Sequence, residues 1–174
     1  MRVIGGEFRS RRLKPVPGYD VRPTPDRLRE TLFDILAPRI EGATFVDAYA
    51  GTGAVGIEAV SRGAKAILIE KSRHARKILE ENVASLGIEG RVKVLRGSAR
   101  LLLPRWEGDI VFLDPPYGDQ SEYEAVMRIL GEMGRGLVVA QHHSKHVLAE
   151  EYGKLRKVRV VKQGDNALSF YEGS

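Results

Sequence analysis

The segment from residue 45 to residue 56 reads FVDAYAGTGAVG and joins an apolar run to a glycine-rich turn. Its glycines, Gly51, Gly53 and Gly56, have the G-x-G-x-x-G spacing of nucleotide-binding turns, in which glycine lets a ligand approach the backbone closely. Residues 54–62 have the composition of a helix, whose first N–H groups are free to face a ligand. The segment predicts a strand, a tight turn and a helix that together bind an adenosine-bearing cofactor.

Strand and helix patterns alternate along most of the chain. Near-continuous apolar runs predict buried strands at residues 44–49, 65–70, 91–97, 108–114 and 136–142. Helical periodicity lies between them, with Ser72 as a predicted N-cap and residues 121–133 as a predicted helix. Ahead of the first strand, Thr24 is the predicted cap of another helix and Pro38 its predicted end. We expect an α/β fold with a mostly parallel central sheet and helices on both faces.

The two ends of the chain differ from this alternation. Residues 154–173 read as two alternating strands around the turn residues 164–166, which predicts an antiparallel C-terminal β-hairpin. Residues 1–23 are basic and predict a small N-terminal hairpin or irregular arm. The expected organisation is therefore this arm followed by one domain at residues 24–174.

Composition narrows the class of protein. The 174 residues carry a net charge of +5, which permits a nucleic-acid partner. There is no cysteine, and the adjacent His142 and His143 would point apart on a regular element, so we expect no disulfide and no bound metal. The N-terminus lacks the apolar core of a signal peptide, and no run of about eighteen apolar residues occurs. We expect a soluble, cytoplasmic monomer without membrane contact.

Two carboxylates beside the glycine turn bear on which cofactor it binds. Glu70 ends the second predicted strand, nineteen positions after Gly51, where it can accept hydrogen bonds from ribose hydroxyls. Asp47 lies at the exit of the first strand, where a carboxylate repels a pyrophosphate but attracts the ammonium and sulfonium groups of S-adenosylmethionine (SAM). The alternative is that Asp47 only accepts backbone N–H bonds within the loop. The array favours SAM over NAD.

The fourth strand ends in Asp114, Pro115, Pro116 and Tyr117, a DPPY sequence. Two prolines make a stiff corner with exposed carbonyls, because neither carries an N–H group. Asp114 supplies an acceptor and Tyr117 a flat face, so together they suit a planar group with an exocyclic amine. The alternative interpretation is a plain strand-ending turn.

The DPPY stretch is similar to the motif of methyltransferases that act on adenine N6, guanine N2, cytosine N4 or glutamine nitrogen. Four further stretches resemble the RsmD family: RVIGGEFRSRRL at residues 2–13, RPTPDRLRETLFDIL at 22–36, DAYAGTGAVGIEAVSRGA at 47–64 and GDNALSFYE at 164–172. The resemblance implies a Rossmann-like Class I methyltransferase fold. It also implies methyl transfer from SAM to guanine N2 of 16S ribosomal RNA, either free or within a small-subunit assembly particle.

The resemblance also implies roles for individual residues. The cofactor would contact Asp47, Tyr49, Ala50, Gly51, Thr52, Gly53, Glu70, Lys71, Ser98 and Ala99. The target pocket would comprise Asp114, Pro115, Pro116 and Tyr117. The RNA or the pocket entrance would contact Arg2, Arg9, Arg11, Arg12, Arg22, Thr24, Arg27 and Arg29. The chain departs from the family at Tyr49, where phenylalanine is frequent and the hydroxyl is expected to reach water, and at Ser98, where Asp or Asn often binds the adenine amine.

Other interpretations stay open at this point. The substrate could be DNA adenine N6 or a protein glutamine, and the enzyme could be an NAD(P)-dependent oxidoreductase. A non-catalytic RNA-binding protein is a further alternative. The basic arm could also be a solvated edge protected by its charges.

Overall fold

The computed structural model describes residues 1–17, 24–116 and 119–173. Its sheet contains, in chain order, β1 Thr44–Asp47, β2 Lys65–Glu70, β3 Val92–Arg96, β4 Ile110–Leu113, β5 Leu137–His143, β6 Glu151–Tyr152, β7 Leu155–Gln163 and β8 Asn166–Gly173. The strands are arranged in the order β3-β2-β1-β4-β5-β8-β7-β6. The first five pair in parallel, whereas β8 pairs antiparallel with both β5 and β7. The predicted parallel sheet and its C-terminal hairpin are confirmed.

The helices are α1 Asp26–Ile40, α2 Ala54–Ser61, α3 Arg73–Ser85, α4 Ala99–Leu102 and α5 Gln120–Met133. They cover both faces of the sheet, because successive strand residues face opposite sides. Phe45 packs in one apolar cluster with α1, while the adjacent Val46 packs in another cluster with α5. Helices α2 and α3 cover the α1 side nearer the β3 edge. The fold is Rossmann-like, as predicted.

Two local predictions about helices were wrong, and one short helix was missed. Thr24 does not cap α1: Pro25 occupies the N-cap position without a side-chain bond, and the Thr24 hydroxyl donates instead to Gln141 Oε1 at 3.2 Å. Pro38 does not end α1, which continues to Ile40. Burial of Ile40 in the core holds this last turn, where the missing proline N–H costs one hydrogen bond. The short α4 was not predicted, because one helical turn is too short to show periodicity.

Residues 1–17 form an irregular arm closed by a single antiparallel bridge between Arg2 and Arg12. Val3 and Leu13 are buried against α2 and α3, so the arm is part of the apolar core. The fully buried carboxylate of Glu58 accepts hydrogen bonds from the N–H groups of Ile4 at 2.8 Å and Gly5 at 2.9 Å. The buried Glu58 side chain, bonded to backbone N–H groups of the arm, holds the arm in place. Its description as a unit separate from residues 24–174 stays a prediction.

Candidate active site

Three predicted carboxylates come together at the carboxyl edge of the sheet. β1 lies between β2 and β4, with Asp47 in register with Leu68 on one side and Phe112 on the other. Glu70 lies two residues after Leu68, and Asp114 lies two residues after Phe112. Because side chains alternate along a strand, both are directed towards the same face of the sheet as Asp47. Burial raises the pKa of Asp47 to about 8, and the charges of Asp114 and Glu70 add to the shift. The predicted convergence is therefore present in the structure.

Asp114 carries the acceptor of the predicted target pocket. Burial raises its pKa to about 7, so the carboxyl exchanges its proton near neutral pH. Burial, together with the charge of Asp114, also raises the pKa of Tyr123 on α5, whose hydroxyl donates to the Gln141 carbonyl at 2.5 Å. Tyr123 thus remains neutral beside Asp114. Pro115 is buried and Pro116 exposed, whereas Tyr117 lies outside the described residues.

The glycine turn has two positions that require glycine for different reasons. Gly51 has φ 57°, and a Cβ there would meet no protein atom, so the backbone at this point borders open space. Gly53 has φ 95°, and a Cβ there would lie 2.4 Å from Leu79 Cδ1. Both conformations favour glycine. Gly51 leaves room for a ligand, and Gly53 lets α3 pack against the turn.

Glu70 is held by the backbone on both of its oxygens. Gly51 N–H donates to Oε1 and Ser72 N–H to Oε2, each at 2.7 Å. Ser72 also caps α3 as predicted, since its side chain accepts from Ala75 N–H at 3.2 Å. Each carboxylate oxygen retains a second acceptor position, which is available for a ribose hydroxyl. The rigid position of Glu70 suits recognition of a fixed ligand group.

Asn82 on α3 was not among the predicted site residues. Its buried amide donates to the carbonyls of Thr52 at 2.9 Å and Lys14 at 3.1 Å, and it accepts from Lys14 N–H at 2.7 Å. One side chain therefore joins the arm to the glycine turn. The signal in the sequence was a single amide next to Leu79 and Val83 in the apolar stripe of a predicted helix.

Tyr49 follows β1, and its hydroxyl donates to Glu122 Oε1 on α5 at 2.5 Å rather than reaching only water. The other oxygen of Glu122 accepts from Arg100 Nε on α4 at 2.9 Å. The pKa of Tyr49 is raised by burial and by the neighbouring Glu122 carboxylate, which keeps the phenol protonated. This trio connects the cofactor turn to α4 and to the first turn of α5.

Three predicted cofactor contacts lie at the ends of β2 and β3. The Ser98 hydroxyl caps α4 by accepting from Leu101 N–H at 3.3 Å, so part of its bonding capacity is used within the protein. Ala99 is buried beside α5, and Lys71 is exposed. Their contacts with a cofactor stay predictions.

A family model described as conserved hypothetical protein 95 matches residues 1–172. The chain belongs to this family. The arm, the glycine turn, the DPPY segment and the C-terminal hairpin therefore lie within one family match.

Named relatives of the family come from bacteria. A Bacillus subtilis protein, YlbH, provisionally named an rRNA methyltransferase, is 32% identical over 184 residues, covering 99% of this chain and 98% of the relative. Ribosomal RNA small subunit methyltransferase D of Escherichia coli is 46% identical over 121 residues, covering 67% of this chain and 60% of the relative. The structure of the E. coli protein yhhF, provisionally described as a methyltransferase, has a TM-score of 0.86 and 35% identity, with 100% and 98% of the two chains covered. The resemblance to the RsmD family is confirmed, and the family is one of rRNA methyltransferases.

The residues present fit the cofactor that such a family implies. Gly51 borders open space, Glu70 offers fixed acceptors, and Asp47 offers a buried carboxyl that a cationic ligand would ionise. Among residues 1–17, 24–116 and 119–173, no group of three or more metal-binding side chains is positioned to hold an ion. The helices of those same residues include none with the length and apolarity needed to cross a membrane.

The predicted RNA contacts of this family member fall into two groups. Exposed side chains belong to Arg2, Arg9, Arg11, Arg12 and Arg27, while Arg22 lies outside the described residues. Arg29, by contrast, is fully buried, and its guanidinium donates to the Arg2 carbonyl at 2.7 Å. Thr24 is also buried, against Gln141. In this arrangement Arg29 positions the arm and Thr24 the start of α1, and neither presents its polar group to an RNA phosphate.

Proposed function

We propose that this protein is a SAM-dependent methyltransferase that transfers a methyl group to the exocyclic N2 amine of a guanine in 16S ribosomal RNA. The convergence of Asp47, Glu70 and Asp114 at one sheet edge carries the proposal, since methyl transfer to an amine requires a cofactor site beside an amine acceptor. The name of the E. coli relative supports a small-subunit RNA substrate.

The cofactor half of the site is proposed to bind SAM and to orient it. Bound SAM supplies an electrophilic methyl group on its sulfonium. Glu70 accepts from the ribose hydroxyls, and Asp47 balances the positive charge of the methionine portion. The turn at Gly51 lets the backbone approach the ligand. Lys71, Ser98 and Ala99 are assigned to the rim of the same site.

The target half of the site prepares the nucleophile. An aromatic amine is a weak nucleophile, because its lone pair is conjugated into the ring. Asp114 and the Pro115 carbonyl accept its two N–H bonds, which directs the lone pair towards the methyl group and supplies orientation. A carboxyl with a pKa of about 7 is also suited to accept the released proton at neutral pH. Tyr117 is proposed to stack on the base, with a contribution of about 1–3 kcal/mol.

The exposed arginines of the arm are proposed to bind RNA phosphates. Arginine forms bidentate bonds with phosphate, and the arm is fixed to α2 and α3 by buried contacts. Arg22 is assigned to the same surface. We expect the protein to act as a monomer in the cytoplasm, on 16S rRNA that is either free or within a small-subunit assembly particle.

The decisive experiment is transfer of labelled methyl from SAM to small-subunit particles that lack this modification, followed by nucleoside identification. N2-methylguanosine is expected, and N6-methyladenosine would overturn the substrate assignment. A parallel thermal melt tests the cofactor. SAM or S-adenosylhomocysteine should raise Tm and NAD should not, because a cationic ligand group stabilises the Asp47 carboxylate and a pyrophosphate does not. A rise with NAD alone would instead support an oxidoreductase.

A further inference from the structure

A shallow groove lies between the start of α1 and the turn that joins β7 to β8. It has a volume of about 400 Å³ and is lined by Pro25, Arg27, Lys162, Gln163, Gly164 and Asn166, among others. Gln163 Nε2 donates to Thr31 Oγ1 on α1 at 2.6 Å, which ties the turn to the helix. The groove therefore has fixed walls on both sides.

The side chains of the groove have the chemistry of a polyanion site. Its charged lining residues are both cations, Arg27 and Lys162, and two neutral amides, Gln163 and Asn166, also line it. Within the part of the chain that the structure describes, neither cation forms a salt bridge. Gly164 has φ 57°, and a Cβ there would meet no atom, so a ligand can approach the backbone. Cations with amide donors are the usual partners of a nucleic-acid backbone.

The groove opens at the same edge of the sheet as Asp114. Asn166 at the start of β8 pairs with His143 at the carboxyl end of β5, and β5 is the parallel neighbour of β4. Three strand spacings, about 14 Å, separate β4 from β7. Thr24 bridges the intervening space, because it bonds Gln141 on β5 and immediately precedes Pro25 in the groove wall. An RNA strand whose target base reaches Asp114 can therefore extend into the groove.

We propose that this groove binds the sugar-phosphate backbone of the RNA strand flanking the target base. This inference rests on the proposed function and extends it, because it adds Lys162, Gln163 and Asn166 beyond β5 to Arg27, which the family resemblance already implies as an RNA contact. Arg27 and Lys162 bind phosphates, while Gln163 and Asn166 donate to phosphate or sugar oxygens.

The test uses the full chain with both cations neutralised, Arg27→Ala and Lys162→Ala, and unmethylated 16S rRNA transcribed in vitro as the probe. The matched control neutralises Arg105 and Arg128, two exposed arginines without ion pairs among the described residues, on the α5 side of the sheet. RNA affinity is measured between about 0.05 and 0.3 M salt. The slope of log affinity against log salt should fall in magnitude by about 1.5 in the groove variant, with affinity about thirtyfold weaker at about 0.1 M salt.

The control should retain the wild-type slope, and both variants should keep the wild-type Tm and its rise with SAM. Equal slopes for the groove variant and the control would overturn the proposal. Weaker binding to small-subunit particles with unchanged binding to free rRNA would also overturn it, in favour of a ribosomal protein in the groove. Direct RNA binding separates this test from the proposed activity: absence of methyl transfer by the wild-type protein would contradict the activity, and a changed slope would still support the groove.

Discussion

Glu70 and Asp114 are carboxylates that flank Asp47 at one edge of the sheet, yet their surroundings differ. Glu70 accepts two backbone N–H bonds at 2.7 Å, which hold it in one orientation. Asp114 accepts none from the described residues, and burial raises its pKa to about 7. The N–H donors around Glu70 suit its proposed role in binding, whereas the partly buried Asp114, which lacks such donors, suits its proposed role in proton exchange. The surroundings of Glu70 and Asp114, more than the difference between glutamate and aspartate, distinguish their proposed roles.

The largest effect should come from Asp114→Asn. The amide keeps the shape but cannot accept a proton, and it turns an N–H donor towards the amine. We expect kcat to fall by roughly 10²–10⁴-fold, with little change in the SAM dissociation constant. In the wild type, kcat should rise with pH through about 7 as Asp114 ionises.

The control for this substitution is Asp109→Asn, just before the other end of β4. Among the described residues, the Asp109 side chain accepts from Thr44 N–H alone, and an asparagine retains that acceptor. Single-turnover rates with saturating SAM and RNA would measure both variants. Equal rates for Asp114→Asn and the control would contradict a role for Asp114 in the reaction.

The next effect concerns the binding carboxylate. Glu70→Ala removes the acceptor of two backbone N–H groups, and hydrogen bonds to a charged group each contribute about 1.5–3 kcal/mol. We expect the free energy of unfolding to fall by roughly 3 kcal/mol and SAM binding to weaken strongly. Denaturant unfolding and calorimetry measure the two effects. Glu70→Gln should be intermediate, because it keeps one acceptor oxygen; full stability of both variants would show that the two bonds contribute little.

The contrast between these carboxylates was only partly visible in the sequence. The positions of Asp47, Glu70 and Asp114 at the ends of predicted parallel strands indicated that they would lie at one edge of the sheet, because parallel strands end at the same edge. Spacing cannot show which N–H groups a carboxylate accepts from, so the different surroundings of Glu70 and Asp114 needed the structure.

Contacts between residues far apart in the chain account for the other differences between the sequence-based predictions and the structure. Arg29 was predicted to contact the RNA or the pocket entrance, but its guanidinium is buried and donates to the Arg2 carbonyl, 27 residues away in the chain. Asn82 joins Lys14 to Thr52, and no local pattern links those three positions. Thr24 is a residue type that often caps helices, yet its hydroxyl donates to the side-chain amide oxygen of Gln141. Each is decided by a distant partner.

Asp47 should make SAM binding depend on pH. Its pKa is about 8 in the folded protein and near 3.8 when unperturbed, and a cationic ligand favours the carboxylate. Below about pH 8 SAM binding must therefore release a proton, so affinity should rise with pH by up to about tenfold per unit and then level off. Calorimetry in two buffers of different ionisation enthalpy counts the protons. Asp47→Asn should remove this dependence, and a pH-independent wild type would contradict it.

The same shift fixes the sign of a stability effect. Between about pH 4 and pH 8 the folded protein keeps the Asp47 proton that the unfolded chain has lost, so Asp47 makes the free energy of unfolding fall as pH rises. Asp47→Asn should flatten this part of the profile. Denaturant titrations at several pH values measure the difference, and parallel profiles for the two proteins would contradict the raised pKa.

The smallest effect should come from Tyr49→Phe, which tests whether the cofactor half and the target half of the site are mechanically joined. The substitution removes the bond to Glu122 Oε1 and leaves the Glu122–Arg100 pair in place. A net hydrogen bond to a charged group predicts a loss of about 1.5 kcal/mol of stability. If Glu122 positions the start of α5 from the cofactor turn, kcat should also fall a few-fold at saturating SAM.

Tyr152→Phe, which removes a hydroxyl bonded to Glu124 on the same helix, is the matched control and should leave kcat unchanged. Equal kcat values for the two variants would show that the halves act independently and that the tyrosine only stabilises the fold.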